Sequence, residues 1–478
     1  MILVALLAAP LLTAALLSRM SGQAAVGVHR AGTGLTLIAA VFTVVQVTGG
    51  ATPRGLGGLL RIDALSVWMV TLISLVAALS AAEAPRQIAL GGARRFYPLF
   101  HLFVFTMLLA VTTDDVGVMW VAVEGTTLAS VFLVNFDRTR ASLEASYKYL
   151  LISSVGIALA FVGTVLVYFA YAQQAAHHEP LRWTMLVQLA PGLPARVLEM
   201  AFVFLLVGYG TKAGLAPMHT WLPDAHSEAP APISAMMSGV LLSVGLYAVV
   251  RYKTVLDLAV GPAFAQRLLL ALALVSLGVA AAFLWTPTNY KRMLAYSSVE
   301  HLGVVCLGLG FGGAWGTTGA VLHIANHALA KSTLFLLSGR IRKVYGSANI
   351  SAVRGLLDRM PITGRAFLVA MLALLGLPPF GLFVSELMIF GAGFQAGFPA
   401  LTSVALVLLV VAFGGLLRAA HRMLYGAPPA AVPASAERVS WGSTLTIALP
   451  LLLLVLTGVA WPTGLAAALD TVAAVVRR

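Results

Sequence analysis

The sequence predicts an all-α integral membrane protein, and three observations lead to that fold class. First, 60% of the 478 residues are apolar and only 10% are charged, whereas soluble domains carry about 25% charged residues. Second, the mean hydropathy is +0.94, and no charged linker divides the chain into soluble blocks. Third, the apolar residues form runs of about 20, the length that an α-helix needs to cross a bilayer.

Fourteen such runs predict about 14 transmembrane helices, numbered here as spans 1 to 14. They cover approximately residues 1–18, 33–50, 63–84, 96–113, 116–136, 144–172, 197–226, 231–252, 264–285, 293–313, 315–343, 363–394, 402–424 and 444–467. The first run has no basic stretch before it, so we interpret it as a retained span rather than a secretory signal. Three runs exceed one bilayer thickness, which predicts tilted or broken helices.

Lysine and arginine residues lie between the runs, and their distribution predicts the orientation. Of the 30 such residues, 9 lie on the side of the termini, 19 on the opposite side and 2 inside spans. Because the basic side of a membrane protein faces the cytoplasm, we expect both termini outside the inner (plasma) membrane and the loop Arg340–Arg365 inside the cell. The net charge of +13 is then explained by basic residues that orient the membrane helices. Since these residues are not gathered in a patch on a soluble surface, nucleic-acid binding is not expected.

The sequence offers few groups that could hold a redox cofactor or a metal. Cys306 is the single cysteine, so the chain can form neither an internal disulfide nor an iron–sulfur cluster, which needs about four cysteine ligands. The histidines of the apolar runs accompany lysine rather than carboxylate or thiolate groups, the usual companions of histidine in zinc sites. We therefore expect no cofactor and no metal in this chain.

Four ionisable residues lie in the middle of apolar runs: Glu124, Lys212, Lys331 and Glu386. A charged side chain at mid-bilayer costs about 2.5–3.5 kcal/mol on insertion scales, so such residues face a partner or water. For Lys212, burial disfavours the charged form and a nearby carboxylate favours it. We expect Glu124 to be this carboxylate, so that moving Glu124 would switch the protonation state of Lys212. The alternative is a static buried ion pair.

The residues His323, His327 and Lys331 are spaced four apart. Each step of four residues rises about 6 Å and turns by about 40°, so the three side chains share one helical face over roughly 12 Å. This pattern favours a proton relay inside the membrane. The alternative is a polar seam that forms hydrogen bonds with neighbouring helices.

Proline breaks two spans beside a buried charge. Pro217 follows Lys212 in span 7, and Pro378 and Pro379 precede Glu386 in span 12. Proline removes a helical hydrogen bond, and paired breaks in the two halves of a transporter indicate the binding region. Pro217 and Pro379 are 162 residues and five spans apart, an odd number that predicts two inverted five-helix repeats.

The predicted organisation therefore has four parts. They are an N-terminal group of spans 1–3 (residues 1–95), a first repeat (96–252), a second, inverted repeat (264–424) and a C-terminal transmembrane helix (425–478).

The motifs around these residues resemble those of the antiporter-like subunits of respiratory complex I, Mrp antiporters and membrane-bound hydrogenases. The most specific stretches are TKAGLAPMHTWLPDAHSEAPAPISAMMSGVLL, NYKRMLAYSSVEHLG and HIANHALAKSTLFLLSG, and the resemblance covers about residues 60–425. Within this superfamily, SSVEHLG and NHALAKSTLF are most similar to the F-type subunit of hydrogenase 4 and formate hydrogenlyase.

The resemblance implies fourteen helices, broken helices at spans 7 and 12, and a hydrated chain of charges at the membrane midplane. It assigns a proton path to Glu124, Lys212, His323, His327, Lys331 and Glu386. Glu124 corresponds to the glutamate of span 5 that pairs with the lysine of span 7, and Glu386 to the exit residue of span 12. Glu300 and His301 are the expected entrance. Several relatives carry a lysine in span 8 where this chain has Ser243, so the link from Lys212 to His323 needs water and hydroxyl groups.

The predicted function is that of a proton-translocating membrane subunit of a redox-driven complex, with no catalytic chemistry in this chain itself. The expected partners are other membrane subunits, a peripheral redox module and the lipid bilayer. Three alternatives stay open: an Mrp-type cation/proton antiporter subunit, a membrane subunit for inorganic-carbon uptake that accompanies a zinc enzyme, and a non-conducting membrane anchor.

Overall fold

The structure, a computed structural model, describes residues 1–174, 180–430, 432, 437 and 441–477. The helices are α1 (Ile2–Leu17), α2 (Gly22–Thr48), α3 (Ala64–Gln87), α4 (Ala93–Thr112), α5 (Val116–Val134), α6 (Arg140–Ala172), α7 (Trp183–Leu189), α8 (Ala195–Ala213), α9 (Leu222–Glu228), α10 (Ala231–Met236), α11 (Leu242–Val260), α12 (Ala263–Phe283), α13 (Tyr290–Phe311), α14 (Gly313–Tyr345), α15 (Leu356–Arg359), α16 (Pro361–Leu374), α17 (Gly381–Gln395), α18 (Pro399–Leu424), α19 (Trp441–Val459) and α20 (Thr463–Val476). Two short strands, β1 (Arg54–Gly55) and β2 (Leu60–Arg61), pair antiparallel.

Among the described residues, twelve helical segments are long and apolar enough to cross a membrane, and α1, α16, α17 and α20 are shorter apolar helices. The prediction of an all-α membrane protein is thereby confirmed. The count of about 14 spans and the two inverted repeats stay predictions.

The helix boundaries differ from the predicted runs in two places. Helix α2 begins at Gly22, eleven residues before the predicted start at residue 33. The predicted last run, 444–467, corresponds to α19 followed by a second helix, α20. Buried apolar residues of α20 such as Leu469 and Val472 lie on a helix that contacts α3 and α14, so this segment is part of the bundle.

Polar caps fix where several membrane helices begin. The carboxylate of Asp63 accepts a hydrogen bond of 3.0 Å from the backbone of Ser66 at the start of α3. Asp115 caps α5 through the backbone of Val118 at 2.9 Å. Such caps satisfy backbone N–H groups that have no partner inside the helix.

Asp63 also anchors one end of the bundle. It forms a two-pronged ion pair with Arg251, both N–H···O distances being 2.7 Å, and the Arg251 guanidinium lies between the rings of Trp183 and Tyr247. Burial alone would raise the pKa of the Asp63 carboxyl, but the charge and hydrogen bonds of Arg251 hold this pKa well below its usual value. The pair ties α3 to α11.

The centre of the bundle is formed by α11 and α14. An apolar stretch of 18 residues in each of the two segments that contain these helices is fully buried inside the chain, whereas only 28% of the corresponding stretch of α18 is buried. Helices α2, α6, α12, α18 and α19 lie at the outside of the bundle, with 28–39% of their membrane-crossing parts buried. The side chains of His323, His327 and Lys331 on α14 lie inside it.

Candidate functional site

Lys212 occupies the last turn of α8 and is fully buried. Its ammonium group donates hydrogen bonds of 2.8 Å to the hydroxyl of Thr127 and 3.0 Å to the hydroxyl of Tyr149. The Tyr149 hydroxyl lies 2.8 Å from that of Ser130. The lysine is therefore held by hydroxyl groups from α5 and α6.

Glu124 lies on α5, one turn before Thr127, and is half-buried. Its carboxylate accepts hydrogen bonds of 3.0 Å from Thr127 and 2.7 Å from Ser154. In the part of the chain that the structure describes, Glu124 and Lys212 form no direct ion pair within 4.0 Å. The Thr127 hydroxyl bridges them, because it accepts a hydrogen bond from Lys212 and donates one to Glu124.

Small residues let α6 and α8 approach closely at this point. A Cβ atom on Gly208 would lie 2.6 Å from the carbonyl oxygen of Gly156, a distance that packed side chains do not tolerate. Small residues at helix contacts commonly allow such close backbone approach in membranes. The approach brings Tyr149 of α6 to Lys212 of α8.

The break predicted in span 7 lies directly after Lys212. Helix α8 ends at Ala213, and Gly214 has a left-handed backbone with φ 74°, a conformation that glycine adopts without strain. Pro217 follows with a cis peptide bond, and the chain continues as a short 3₁₀ segment, Met218–Trp221, into α9.

His226 lies on α9, beyond the break that follows Lys212. The centroid of the Trp221 ring lies 4.7 Å from that of Tyr149 and 6.4 Å from that of His226. His226 also stacks on Phe335 of α14, with centroids 5.4 Å apart. Both ring nitrogens of His226 are buried and lack a hydrogen-bond partner among the described residues.

The predicted ladder lies on α14, where all three side chains are buried. Nε2 of His323 lies 3.0 Å from Nδ1 of His301 on α13, and Nδ1 of His323 lies 2.9 Å from the hydroxyl of Ser385 on α17. The His327 ring lies 5.4 Å from that of His301. Neither ring nitrogen of His327 has a partner in the described part of the chain.

Lys331 forms the end of the ladder nearest to α9. Its ammonium donates hydrogen bonds to the Leu294 carbonyl and the Ser297 hydroxyl. Glu300 of α13 and His226 of α9 both lie within electrostatic range of Lys331. Glu300 and His301, the expected entrance, are buried in this central cluster, and they line none of the cavities described below.

Glu386 follows the second break, at Gly376 to Pro379 between α16 and α17. Gly376 has φ 64° and lies against the Glu386 carboxylate, so that a side chain at this position would collide with it. Pro378 and Pro379 are joined by a cis peptide bond. The glycine therefore creates the space that the buried carboxylate occupies.

The carboxylate of Glu386 lies beside two of the histidines. The sequence alone predicts that these histidines accompany lysine rather than carboxylate groups. Ligand atoms of His301, His323 and Glu386 lie within 4.8 Å of one another, and these donor types occur in zinc sites. Both nitrogens of His323 already have partners, so an ion would have to displace one of them. The arrangement as it stands fits proton exchange between neighbouring groups.

Three serine hydroxyls and a third lysine are also buried, on the segments from α10 to α13. Ser243 is buried, and its hydroxyl has no partner among the described residues. The hydroxyls of Ser238 and Ser298 lie 2.7 Å apart. Lys291, at the start of α13, donates to the carbonyls of Ser227 at 2.9 Å and Ala229 at 2.6 Å, directly after His226.

Residues 113–412 match the family described as NADH:quinone oxidoreductase/Mrp antiporter, transmembrane. The chain is 36% identical over 382 residues to the hydrogenase-4 component F homolog of Methylacidiphilum infernorum (isolate V4), covering 78% of this chain and 80% of that protein.

Two solved structures share the fold over the whole chain. One chain of the membrane-bound sulfane sulfur reductase, an archaeal respiratory membrane complex, aligns with a TM-score of 0.89 and 26% identity, covering 100% of this chain and 98% of that chain. One chain of respiratory complex I from Thermus thermophilus aligns with a TM-score of 0.85, covering 100% and 99%. The latter is 24% identical, so it is evidence for the fold alone.

Proposed function

The chain belongs to the NADH:quinone oxidoreductase/Mrp antiporter transmembrane family, and from this membership we propose that it translocates protons as a membrane subunit of a redox-driven complex. The observation that carries the proposal is a row of ionisable and hydroxyl groups through the bundle, all of them buried except the half-buried Glu124. It runs from Glu124 through Lys212, His226 and the α14 ladder to Glu386.

In the first half, we propose that Glu124 controls the charge of Lys212 through Thr127. While the carboxylate is ionised and bridged, it stabilises the buried ammonium. When Glu124 is protonated or moves away, burial disfavours the ammonium and the lysine releases its proton. The proton then passes towards His226, whose two unpartnered ring nitrogens can accept and release it.

In the second half, the histidines carry the proton along α14 and α13. A neutral imidazole has one nitrogen that donates and one that accepts a hydrogen bond, so the contact between His301 and His323 can pass a proton by exchanging tautomers. Ser385 and Glu386 follow as the proposed exit. Glu300 is the proposed countercharge for Lys331, in addition to the entrance role expected for Glu300 and His301.

The proposal requires partners, because translocation needs an energy source. We expect a redox complex to supply this energy, because one relative is a hydrogenase-4 component F homolog and the structural neighbours are chains of respiratory complexes. We propose that a redox partner changes the charge near Glu124, and that other membrane subunits adjoin this chain in the plasma membrane. The charge bias supports placing both termini outside.

Lys212→Ala tests the proposed function in the purified complex reconstituted into vesicles. The variant leaves Glu124 without its bridged countercharge, so proton uptake should fall to near background while the complex still assembles. Lys148→Ala removes an exposed lysine on α6 and should pump at the wild-type rate. Wild-type pumping by Lys212→Ala would refute the proposal in favour of a non-conducting anchor, and flux that requires sodium would favour an Mrp-type antiporter.

A further inference from the structure

A cavity of about 610 Å³ opens at the end of the bundle that carries most of the basic residues. It lies where α3 and α14 end, beside the start of α13 and the residues that follow α5. Four cationic side chains line it: Arg86, Lys291, Arg342 and Lys343. The row described above does not use this cavity, and Lys291, which forms part of its wall, is not a member of that row.

The charge of the cavity is unbalanced. Asp137 is the one carboxylate in its lining. Arg86 forms an ion pair of 3.2 Å with Glu83, three residues earlier on α3. Among the described residues, no carboxylate lies within 4.0 Å of the ammonium or guanidinium groups of Lys291, Arg342 or Lys343. Such a concave, cationic surface attracts an anion.

A polar donor in the same wall also lacks a partner. Gln87 lines the cavity, and its Nε2 is buried without a hydrogen-bond acceptor in the described part of the chain. The other end of its amide, Oε1, lies against Gly339 of α14, where a side chain would collide with it. An oxyanion in the cavity would supply the missing acceptor, since buried donors are rarely left unpaired.

A second cavity, of about 460 Å³, adjoins the first and shares Phe136 with it. Its lining combines the cations Arg94, Arg95 and Arg138 with apolar side chains including Phe132. Phe132 is 64% exposed on a helix of membrane-crossing length, so this second wall continues into a surface that faces acyl chains.

We propose that this pair of cavities binds the phosphodiester headgroup of an anionic phospholipid. Basic cavities between membrane helices at the cytoplasmic side commonly bind such headgroups. The phosphate would lie among Arg342, Lys343 and Gln87, and the acyl chains would follow the apolar wall beside Phe132. A soluble anion such as free phosphate would bind in the first cavity but would leave the apolar wall of the second cavity without a ligand.

The bound headgroup would also stabilise the non-helical connection between α9 and α10. Lys291 holds the carbonyls of Ser227 and Ala229, which connect α9 to α10. A phosphate near Lys291 would stabilise its positive charge and therefore this contact. The binding itself does not depend on proton translocation, so its test stands apart from that of the proposed function.

The test measures the thermal unfolding midpoint of the delipidated protein in detergent during titration with dioctanoyl phosphatidylglycerol. Dioctanoyl phosphatidylcholine and inorganic phosphate are the comparison ligands. We expect phosphatidylglycerol to raise the midpoint of the wild type by several degrees, and salt to weaken the effect. In the double variant Arg342→Gln/Lys343→Gln, at least half of this shift should be lost.

The matched control, Arg418→Gln/Arg422→Gln, removes two exposed arginines of α18 that lie outside both cavities, and it should respond like the wild type. An equal lipid-induced shift in the double variant and the wild type would overturn the site. Phosphate acting as strongly as phosphatidylglycerol would overturn the lipid assignment in favour of a soluble anion.

Discussion

Lys212 donates a hydrogen bond of 2.8 Å to the hydroxyl of Thr127, and the same hydroxyl donates to Glu124 at 3.0 Å. The two charges therefore interact through a group that rotates about a single bond. A hydroxyl can keep or break both contacts without any movement of the helix backbone. The bridge makes Thr127 the residue on which coupling between Glu124 and Lys212 depends.

Thr127→Val should uncouple this pair. Valine matches threonine in shape but has no hydroxyl, and a hydrogen bond to a charged group contributes about 1.5–3 kcal/mol. Since about 1.4 kcal/mol corresponds to a factor of ten, we expect proton flux in vesicles to fall by at least about tenfold. Thr127→Ser keeps the hydroxyl and should retain most of the flux; equal rates for the two variants would rule out the bridge.

His226→Gln should interrupt the row between its two halves. Glutamine can form hydrogen bonds but cannot take up and release a proton, so flux should fall strongly in the reconstituted complex. The control is His219→Gln, seven residues earlier in the same break, where the imidazole packs beside Tyr296. A similar loss of flux in both variants would indicate damage to the break rather than loss of a proton carrier.

His327→Gln separates a relay from a packing role. The buried ring of His327 has no hydrogen-bond partner among the described residues, so the substitution removes little packing energy; hydrogen bonds between membrane helices average about 0.6 kcal/mol. We expect lost flux with an unchanged unfolding midpoint, both measured on the same purified complex. Normal flux with a lowered midpoint would make the ladder a packing seam.

Asp63→Asn should destabilise the protein in a pH-dependent manner. The pKa of Asp63 in the folded protein lies below its usual value. The ionised carboxylate therefore stabilises the fold at every pH above the ordinary aspartate pKa of about 4. This contribution is lost as the pH falls below that value towards the lowered pKa of the folded state. Breaking a buried pair costs about 3–5 kcal/mol. The unfolding midpoints of variant and wild type should differ at pH 7 and converge in acid; a pH-independent difference would contradict the assignment.

Cysteine labelling tests the orientation. In a Cys306→Ser background, Ser347→Cys should resist an impermeant thiol reagent in intact cells, because its loop carries the cytoplasmic excess of basic residues. Ala51→Cys, between α2 and α3, should react rapidly. The reverse pattern would invert the topology.

The sequence predicted the membrane fold and the buried charges because both carry an energetic signature. A run of 20 apolar residues or a lysine at mid-bilayer is improbable without a membrane or a partner. Thr127 and Ser385 have no such signature, since hydroxyl residues are common in membrane helices. Their role depends on which side chains the fold brings beside them.

Two ionisable residues were missed for a different reason. His226 is the last residue of predicted span 7, in the polar stretch PDAHSEAP at which that span ends, and Lys291 is one of the charges between spans that predict the orientation. In the structure, the break turns α9 back into the bundle and buries both side chains. A pattern based on helical spacing cannot detect residues positioned by an irregular break.

The burial of the central stretches of α11 and α14 has a consequence for how this protein can be used. Apart from the half-buried Glu124, the groups proposed to carry protons are enclosed by helices of the same chain. A unit that is self-contained in this way can be combined with different electron-transfer modules while its interior is unchanged. Such modularity offers a physical reason why one architecture recurs in assemblies with different chemistry.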